Sequence, residues 1–542
     1  MSNTEFFIYN WSYTNDEYDG LTLRAYGLNE NYQNVYLEIT DYSIGFYIEL
    51  PLTDKTNTVI NWNSTKIDNI ITILKNIGGK FVKPLTIKYL QKSKLHYFTK
   101  QKINNEYVDK TFPFLFLTFK NSQDIKKYTY TLSKINKFDI LGKIYNLDLK
   151  THNHEVKINE EDFGVSPIIK YITENNLPSC GWIKLTDSYK QRKSNKTSNF
   201  DLEYECSYKS LIKSNKTSII LPKTLIFDYE ANSSIPKSMP DYKNPNDKIF
   251  QISFVLVYYL QNKLIIQKYG YTLGIVDINI VGNDVIIKEF KTEADLLLSF
   301  TEFINIHDPK LITGYNIMGW DLEYFKERCK FLKIFDKCSE FGCIEGFHIS
   351  KFLEPKFESK AYGAQKLKYF DMEGRLLIDM LPIIKRNYKL TNYKLSTVTT
   401  HFKVPTKDDI SPAQIFKAYK LYDNNKNNPQ IYSEKLSYVL KYCIQDSYCT
   451  YLLFNKMKLW FEICEMARIG NVPVNYTFSQ GTQIQFLSQC LSYCNINNTV
   501  VLSNGYKVNS SDEYLGAIVL DPKPGKYKKV LSFDFSSLYP SI

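Results

Sequence analysis
The sequence predicts a mixed α/β protein, and three patterns along the chain predict it. Over residues 6–220, short runs alternating apolar and polar residues, such as NVYLEITDY and FPFLFLTFK, are separated by Asn, Asp, Gly and Pro clusters, which is how half-buried strands read. After Leu221, apolar strands give way to helix alternating with strand, the pattern of a mixed sheet with helices packed on it. From Ser433 a long stretch carries Leu436, Val439, Leu440 and Cys443 at i, i+3, i+4 and i+7, one face of a helix. The division that follows is a mostly β domain over 1–220, an α/β domain over 221–470, and a remainder, 471–542, that starts helical and ends in a β region.

Bulk properties narrow the class. With 542 residues and 44% hydrophobic content the chain can bury several cores, so disorder throughout is excluded. Lys and Arg number 68 against 57 Asp and Glu, and the resulting +11 favours a polyanion such as nucleic acid or an acidic membrane surface as partner. The opening MSNTEFFIYNWSYTNDEYDG is polar and acidic, unlike a secretory signal, and no apolar run approaches the roughly 20 residues of a membrane span. The ten cysteines are scattered without zinc-ligand spacing and read as reduced thiols of a cytosolic or nuclear protein that is not secreted.

In the first domain the hexapeptide KSNKTS occurs twice, at 193–198 and 213–218, and reads as two solvated hairpin ends. The HxH pair His152 and His154 has no third ligand nearby and reads as a solvated loop. The second domain opens with strands TLIFDYE, IFQISFVLVYY and KLIIQKYGY, then the helix TEADLLLSFTEFINI, the strand KLITGYN and a helix from Asp321. A hairpin, KFLEPKFESKAYGAQKLKYF, precedes the strand GRLLIDM. The long helix starts with Ser433 as N-cap, and past Pro473 another helical piece leads into EYLGAIVLDPKPGKYKKVLSFDF.

Four carboxylates and a tyrosine stand out. Period two places Asp228 and Glu230 on one face of TLIFDYE. Asp321 follows a strand that ends in Gly314 and a turn through Asn316, where a helix N-cap is the plain alternative. Tyr442 and Asp446 lie four apart on one flank of the long helix. Singly, each reads as a surface acid. Together they suit phosphodiester hydrolysis, in which two Mg²⁺ ions about 4 Å apart, held by hard carboxylate oxygens, neutralise charge on the attacking and leaving oxygens. A tyrosine hydroxyl one turn before Asp446 orients the attacking water.

These segments resemble the three proofreading motifs of the family B DNA polymerases: FDYE the first, GYNIMGWD the second and YCIQD the third. The resemblance extends through NDKIFQIS, DPKLITGYNI and GRLLIDM with its acid Asp379. It also takes in FIYNWSYTNDEYDGLTLRAYGL, similar to the amino-terminal domain of delta-like polymerases of large DNA viruses. It implies a ribonuclease H-like 3′ to 5′ exonuclease domain in which Asp228, Glu230, Asp321 and Asp446 bind metal, Tyr442 aligns the water and Asn316 lies near the substrate strand. Mg²⁺ is the implied cofactor, with Mn²⁺ a substitute. Three positions depart from the family: Trp320 stands where phenylalanine is usual, Gln480 replaces an arginine, and Ala517 replaces a frequent glycine.

By the same resemblance, LSFDFSSLYPSI at 531–542 is the first motif of the polymerase palm, the start of a truncated nucleotidyltransferase domain. Asp534 would bind metal, Ser537 and Leu538 would lie along the nucleotide's phosphates, and Tyr539 would pack beneath its sugar. Tyr514 and Gly516, in a segment resembling the linker before the palm, would track single-stranded primer. The implied function is DNA replication as the amino-terminal portion of a polymerase, acting on primer-template and single-stranded 3′ ends. A second polypeptide or continuation would supply the rest, and a processivity factor is a possible further partner. The segment from about 475 onward is expected to be poorly ordered alone. The alternative is a non-catalytic DNA-binding subunit of a split polymerase.

Overall fold
A computed structural model describes the chain apart from residues 1–3, 17–19, 79–81, 96–99, 104–105, 136–137, 141–142, 146, 148, 154–163, 187, 236, 360–362, 406–409, 503–519 and 537–542. The chain divides after Ser503 into a large unit, Met1–Ser503, and a small one, Asn504–Ile542.

The alternating runs of the first part become two sheets. Glu5–Asp16, Gly20–Leu28 and Asn34–Thr40 pair antiparallel within a seven-stranded sheet that also holds Gly181–Leu185 and Leu202–Ser207. Ile44–Glu49, Phe112–Phe119 and Thr86–Lys94 form the centre of a five-stranded sheet. Phe6, Ile8, Leu23 and Ile39 from the first sheet share a core with Ile44, Phe46, Leu115 and Leu117 from the second. Three helices, Ser64–Ile77, Ser122–Ser133 and Pro167–Glu174, join the strands of this mostly β part at places where only turns are expected. Their caps explain the miss: Asn63, Asn121 and Ser166, which read as turn punctuation, each accept a backbone N–H from the first helical turn.

The KSNKTS repeats act as loop ties. Lys196 Nζ donates to the carbonyls of Phe200 and Asp201, and Lys216 Nζ pairs with Glu5 and Glu30. His152 corrects the solvated-loop expectation: it is buried, with Nε2 3.0 Å from Glu49 Oε2. His154 lies outside the described residues.

The second part is built on a six-stranded mixed sheet in the order 285–290, 263–273, 249–260, 224–231, 311–314, 376–379. The strands 224–231, 249–260 and 263–273 are antiparallel neighbours, while 311–314 and 376–379 run parallel to 224–231. The edge strand Val285–Phe290 was absent from the sequence reading. Helix Glu293–His307, capped by Thr292, covers one face, with Phe300 against Phe227 and Phe254. Helix Pro429–Lys456 covers the other, where Tyr451 packs with Ile226, Val255 and Val257. That helix starts a turn earlier than expected, at Pro429 behind the N-cap Asn428, because proline's fixed φ suits the first helical position. It also stops at Lys456: Lys458 takes a left-handed φ of 51°, and Leu459–Gly470 is a separate helix.

Residues just past 475 are better ordered than expected. Tyr476–Ser479 and Thr482–Ile496 are helical, and Ile484, Leu487 and Leu491 pack on Val165, Ile169, Val472 and Tyr476. Thr499–Val500 adds a short parallel strand beside Thr86–Lys94. In the small unit, residues 520–536 are irregular and exposed, so the described part of the β region expected over 513–535 holds no strand. A strand needs a neighbouring ladder to satisfy its N–H and C=O groups, and this stretch has none among the described residues.

Candidate active site
Strand Thr224–Ala231 alternates cleanly. Leu225, Phe227 and Tyr229 point to the Glu293–His307 side, and Ile226, Asp228 and Glu230 to the side of the long helix. Register then fixes what surrounds the two acids. Asp228 stands opposite Ser253 and Glu230 opposite Gln251, and cross-strand partners share a face. Ser253 Oγ donates to the carbonyl of Cys443 at 2.9 Å and lies 2.6 Å from Ser447 Oγ. Gln251 Nε2 donates to the carbonyl of Leu436 at 2.9 Å. These bonds staple the helix Pro429–Lys456 to strand 249–260, the neighbour of the strand that carries Asp228. Asp446, between Cys443 and Ser447, is thereby held above the sheet, 8% exposed, with half-buried Tyr442 one turn before it.

Cys443 is the shared neighbour of three acids. Its thiol donates to the carbonyl of Asp228 at 3.7 Å. Burial pushes its pKa well up, and the charges of Asp228, Glu230 and Asp446 push it further. The helical period marks this cysteine as part of the buried face, but only the docking of helix on sheet brings it beside the acids.

Asp321 arrives from the other side of the strand. After Gly314, Asn316 adopts a left-handed φ of 66°, a conformation asparagine tolerates, and a π-helical turn Ile317–Asp321 leads into helix Leu322–Phe331. Asp321 itself has helical φ and ψ, and its side chain makes no capping hydrogen bond, so the N-cap explanation does not apply. Tyr229 Oη donates to its carbonyl at 2.7 Å, and Trp320 stacks on Tyr324 with ring centroids 4.8 Å apart. The carboxyl is 6% exposed. Burial raises its pKa well above the usual aspartate value, and the charges of Asp228 and Asp379 raise it further. Among the described residues, no basic side chain forms an ion pair with it.

Asp228, Glu230, Asp321 and Asp446 therefore share one neighbourhood, with Asn316 on the turn that delivers Asp321. They do not close into a ligand shell: among the described residues, no group of three or more His, Cys, Asp or Glu side chains is disposed to hold a metal ion. The donor set nonetheless suits a hard divalent cation, being all carboxylate oxygen, with a buried acid whose charged form is disfavoured by its neighbours. Asp534 is exposed in the irregular 520–536 stretch, while Tyr514, Gly516, Ser537, Leu538 and Tyr539 lie outside the described residues. A cavity of about 590 Å³, lined by Trp11, Met318, Tyr369 and Arg375 among others, includes none of these four acids.

One residue beside the acids was noted in the sequence without a role. Asp379, at the end of strand Leu376–Asp379, accepts backbone N–H groups from the turn that leads to Asp321. An acid closing an apolar strand was the visible signal.

Residues 161–398 match the family model described as DNA polymerase family B, exonuclease domain, and residues 472–542 match DNA polymerase family B. The chain is 32% identical to DNA polymerase 120R of Invertebrate iridescent virus 3 over 99% of its own length and 46% of the relative's. It is 29% identical to the DNA polymerase delta catalytic subunit of Plasmodium falciparum over 96% of its length and 45% of the relative's. The chain thus spans about half the length of these curated relatives. A solved family B DNA polymerase from the archaeon Pyrobaculum calidifontis shares the fold, with a TM-score of 0.58 at 15% identity, covering 96% of this chain and 54% of that one.

Proposed function
Because the chain belongs to the family B DNA polymerases, with that family's exonuclease domain and the beginning of its polymerase domain, we propose that it is a 3′ to 5′ proofreading exonuclease acting on single-stranded or frayed DNA ends. The observation that carries this reading is the stapling of helix Pro429–Lys456 to Gln251 and Ser253, the cross-strand partners of Glu230 and Asp228, which brings Asp446 over those two acids while the 316–321 turn brings Asp321 beside Asp228.

Asp228, Glu230, Asp321 and Asp446 would hold divalent cations, Mg²⁺ or in its place Mn²⁺. Bound there, such ions would neutralise charge building up on the attacking and leaving oxygens. The protein's own part is positional. Tyr442, on the flank of the helix that presents Asp446, holds the attacking water through its hydroxyl, a role that needs no shifted pKa. Asn316 lies along the terminal nucleotide, and Tyr229 fixes the backbone of Asp321 from below.

In this reading residues 1–220, 221–470 and 471–542 are the amino-terminal, exonuclease, and linker-plus-palm segments. Asp534 and Tyr539 would join a nucleotidyl-transfer site whose remaining carboxylate and DNA-gripping parts come from a continuation or second polypeptide. DNA primer-template is the partner, with a processivity factor a further one, in a cytoplasmic or nuclear compartment where ten free cysteines stay reduced.

The test is a 5′-labelled single-stranded oligonucleotide incubated with the purified chain and Mg²⁺. A ladder of shortened products that disappears in Asp228→Ala is expected. An oligonucleotide that stays intact yet binds tightly to both proteins would overturn the exonuclease reading in favour of a binding subunit.

A further inference from the structure
Asp379 does more than start a helix. It is the N-cap of Met380–Asn387, with Oδ1 accepting the N–H of Leu381 at 2.9 Å. The same oxygen accepts the N–H of Asn316 at 2.8 Å, and Oδ2 accepts the N–H of Met318 at 2.9 Å. One carboxylate, 1% exposed, therefore binds three backbone donors, two of them more than sixty residues upstream.

The turn it grips is an uncommon one. Asn316 is left-handed, and its carbonyl accepts the N–H groups of Gly319 at 3.0 Å and Trp320 at 3.3 Å. A Cβ at Gly319 would stand 2.2 Å from Asn316 Oδ1, so any larger residue there would displace the Asn316 side chain. The turn then runs as a π-helical coil and ends on Asp321. Such conformations persist only where surrounding structure holds them. Asp379 supplies that hold from the adjacent parallel strand, where it is the partner of Gly314.

A helix cap alone does not call for this residue. Asn or Ser would cap Met380–Asn387 as well. Neither would add a negative charge near Asp321, whose carboxyl is already disfavoured in its charged form by burial and by Asp228. An aspartate carries that penalty while offering what they lack, two acceptor oxygens able to reach both Asn316 and Met318.

Resting on the exonuclease reading, we propose that Asp379 is a positioning residue of the exonuclease: it clamps the 316–321 turn and so sets Asn316 toward the DNA end and Asp321 toward the other metal-binding acids. It touches neither substrate nor reacting atoms.

Asp379→Asn is the informative variant. It keeps an oxygen for Leu381 and Asn316 but turns an amide N–H₂ toward the N–H of Met318, leaving the cap and breaking the clamp. Asp379→Ser keeps only the cap. Both are compared with wild type by thermal melting, by kcat and KM on a single-stranded oligonucleotide with Mg²⁺, and by Mn²⁺ binding followed by electron paramagnetic resonance without DNA. A melting temperature lowered no further than in Asp379→Ser is expected for Asp379→Asn, together with about 10–100-fold losses in kcat and in Mn²⁺ affinity and little change in KM. Wild-type kcat and Mn²⁺ affinity in Asp379→Asn, with only a lowered melting temperature in Asp379→Ser, would reduce Asp379 to a cap and overturn the proposal. A wild-type chain that binds Mn²⁺ but leaves DNA intact would instead overturn the exonuclease reading, and the Mn²⁺ comparison would still decide the role of Asp379.

Discussion
Two buried carboxylates, one in each half of the large unit, are treated in opposite ways. Glu203, 0% exposed in the amino-terminal sheet, accepts from Arg192 Nη1 at 3.0 Å, from Ser198 Oγ at 2.7 Å, and from the N–H and hydroxyl of Thr197. Burial acts to raise its pKa, but these donors outweigh it and hold the acid below its usual value. Asp321, 6% exposed, has acids for neighbours, and its pKa is raised. Elsewhere in the same α/β region, Glu293 receives Arg328 at both oxygens. The fold can supply a cation to a buried acid and does so where the acid is structural. Where it instead places an acid beside acids, stability is forgone, and a site that recruits charge from outside is the simplest account.

The comparison breaks most visibly if Asp321 proves structural. Asp321→Asn removes a repelled charge and keeps the shape, so the melting temperature should hold or rise. Exonuclease activity on a labelled oligonucleotide should fall about 10⁴-fold, a barrier increase of about 5.4 kcal/mol. A variant that melts well below wild type would place Asp321 with Glu203.

Glu203→Ala should do the reverse. It leaves the Thr197 and Ser198 donors without their acceptor, while Arg192 keeps Glu38 and Glu205. A loss of about 3 kcal/mol of stability is expected, at the low end for a broken buried pair, measured by denaturant unfolding. Activity per folded molecule should not change.

Tyr442→Phe probes the same contrast more gently. The ring packs against the main core and stays, so any stability change should be small, while loss of the hydroxyl proposed to hold the water should lower kcat about 10-fold to 100-fold. A stability loss with unchanged kcat would make Tyr442 a packing residue only.

What was legible in the sequence was local. Asp228 and Glu230 followed from the period of one strand, and Tyr442 and Asp446 from the period of one helix. Their meeting was not legible as geometry, because it depends on Asp228 pairing with Ser253 and on Ser253 reaching Cys443 and Ser447 across almost two hundred residues. The errors have the same origin. Asn63, Asn121 and Ser166 are caps only because helices follow them, and His152 is buried only because its strand pairs with Ile44–Glu49 and sets it beside Glu49. Asp379 showed itself as an acid ending a strand, but the Asn316 and Met318 N–H groups it binds are neighbours only in the parallel register of 311–314 with 376–379.

The smallest effect sharpens the comparison through pH. Glu203 is held below its ordinary value of 4.5, so its charged form is favoured in the folded state. The stability it contributes is complete above the unfolded value and is lost as pH falls through the lower, folded value. Melting temperatures taken from about pH 6 to about pH 3 should therefore drop more steeply for wild type than for Glu203→Gln, which cannot titrate there. The Gln variant should start lower near neutrality, having lost the charge-assisted bond to Arg192, and the two curves should converge in acid. Parallel curves would mean that Glu203 draws nothing from its donors, and the contrast with Asp321 would then rest on geometry alone.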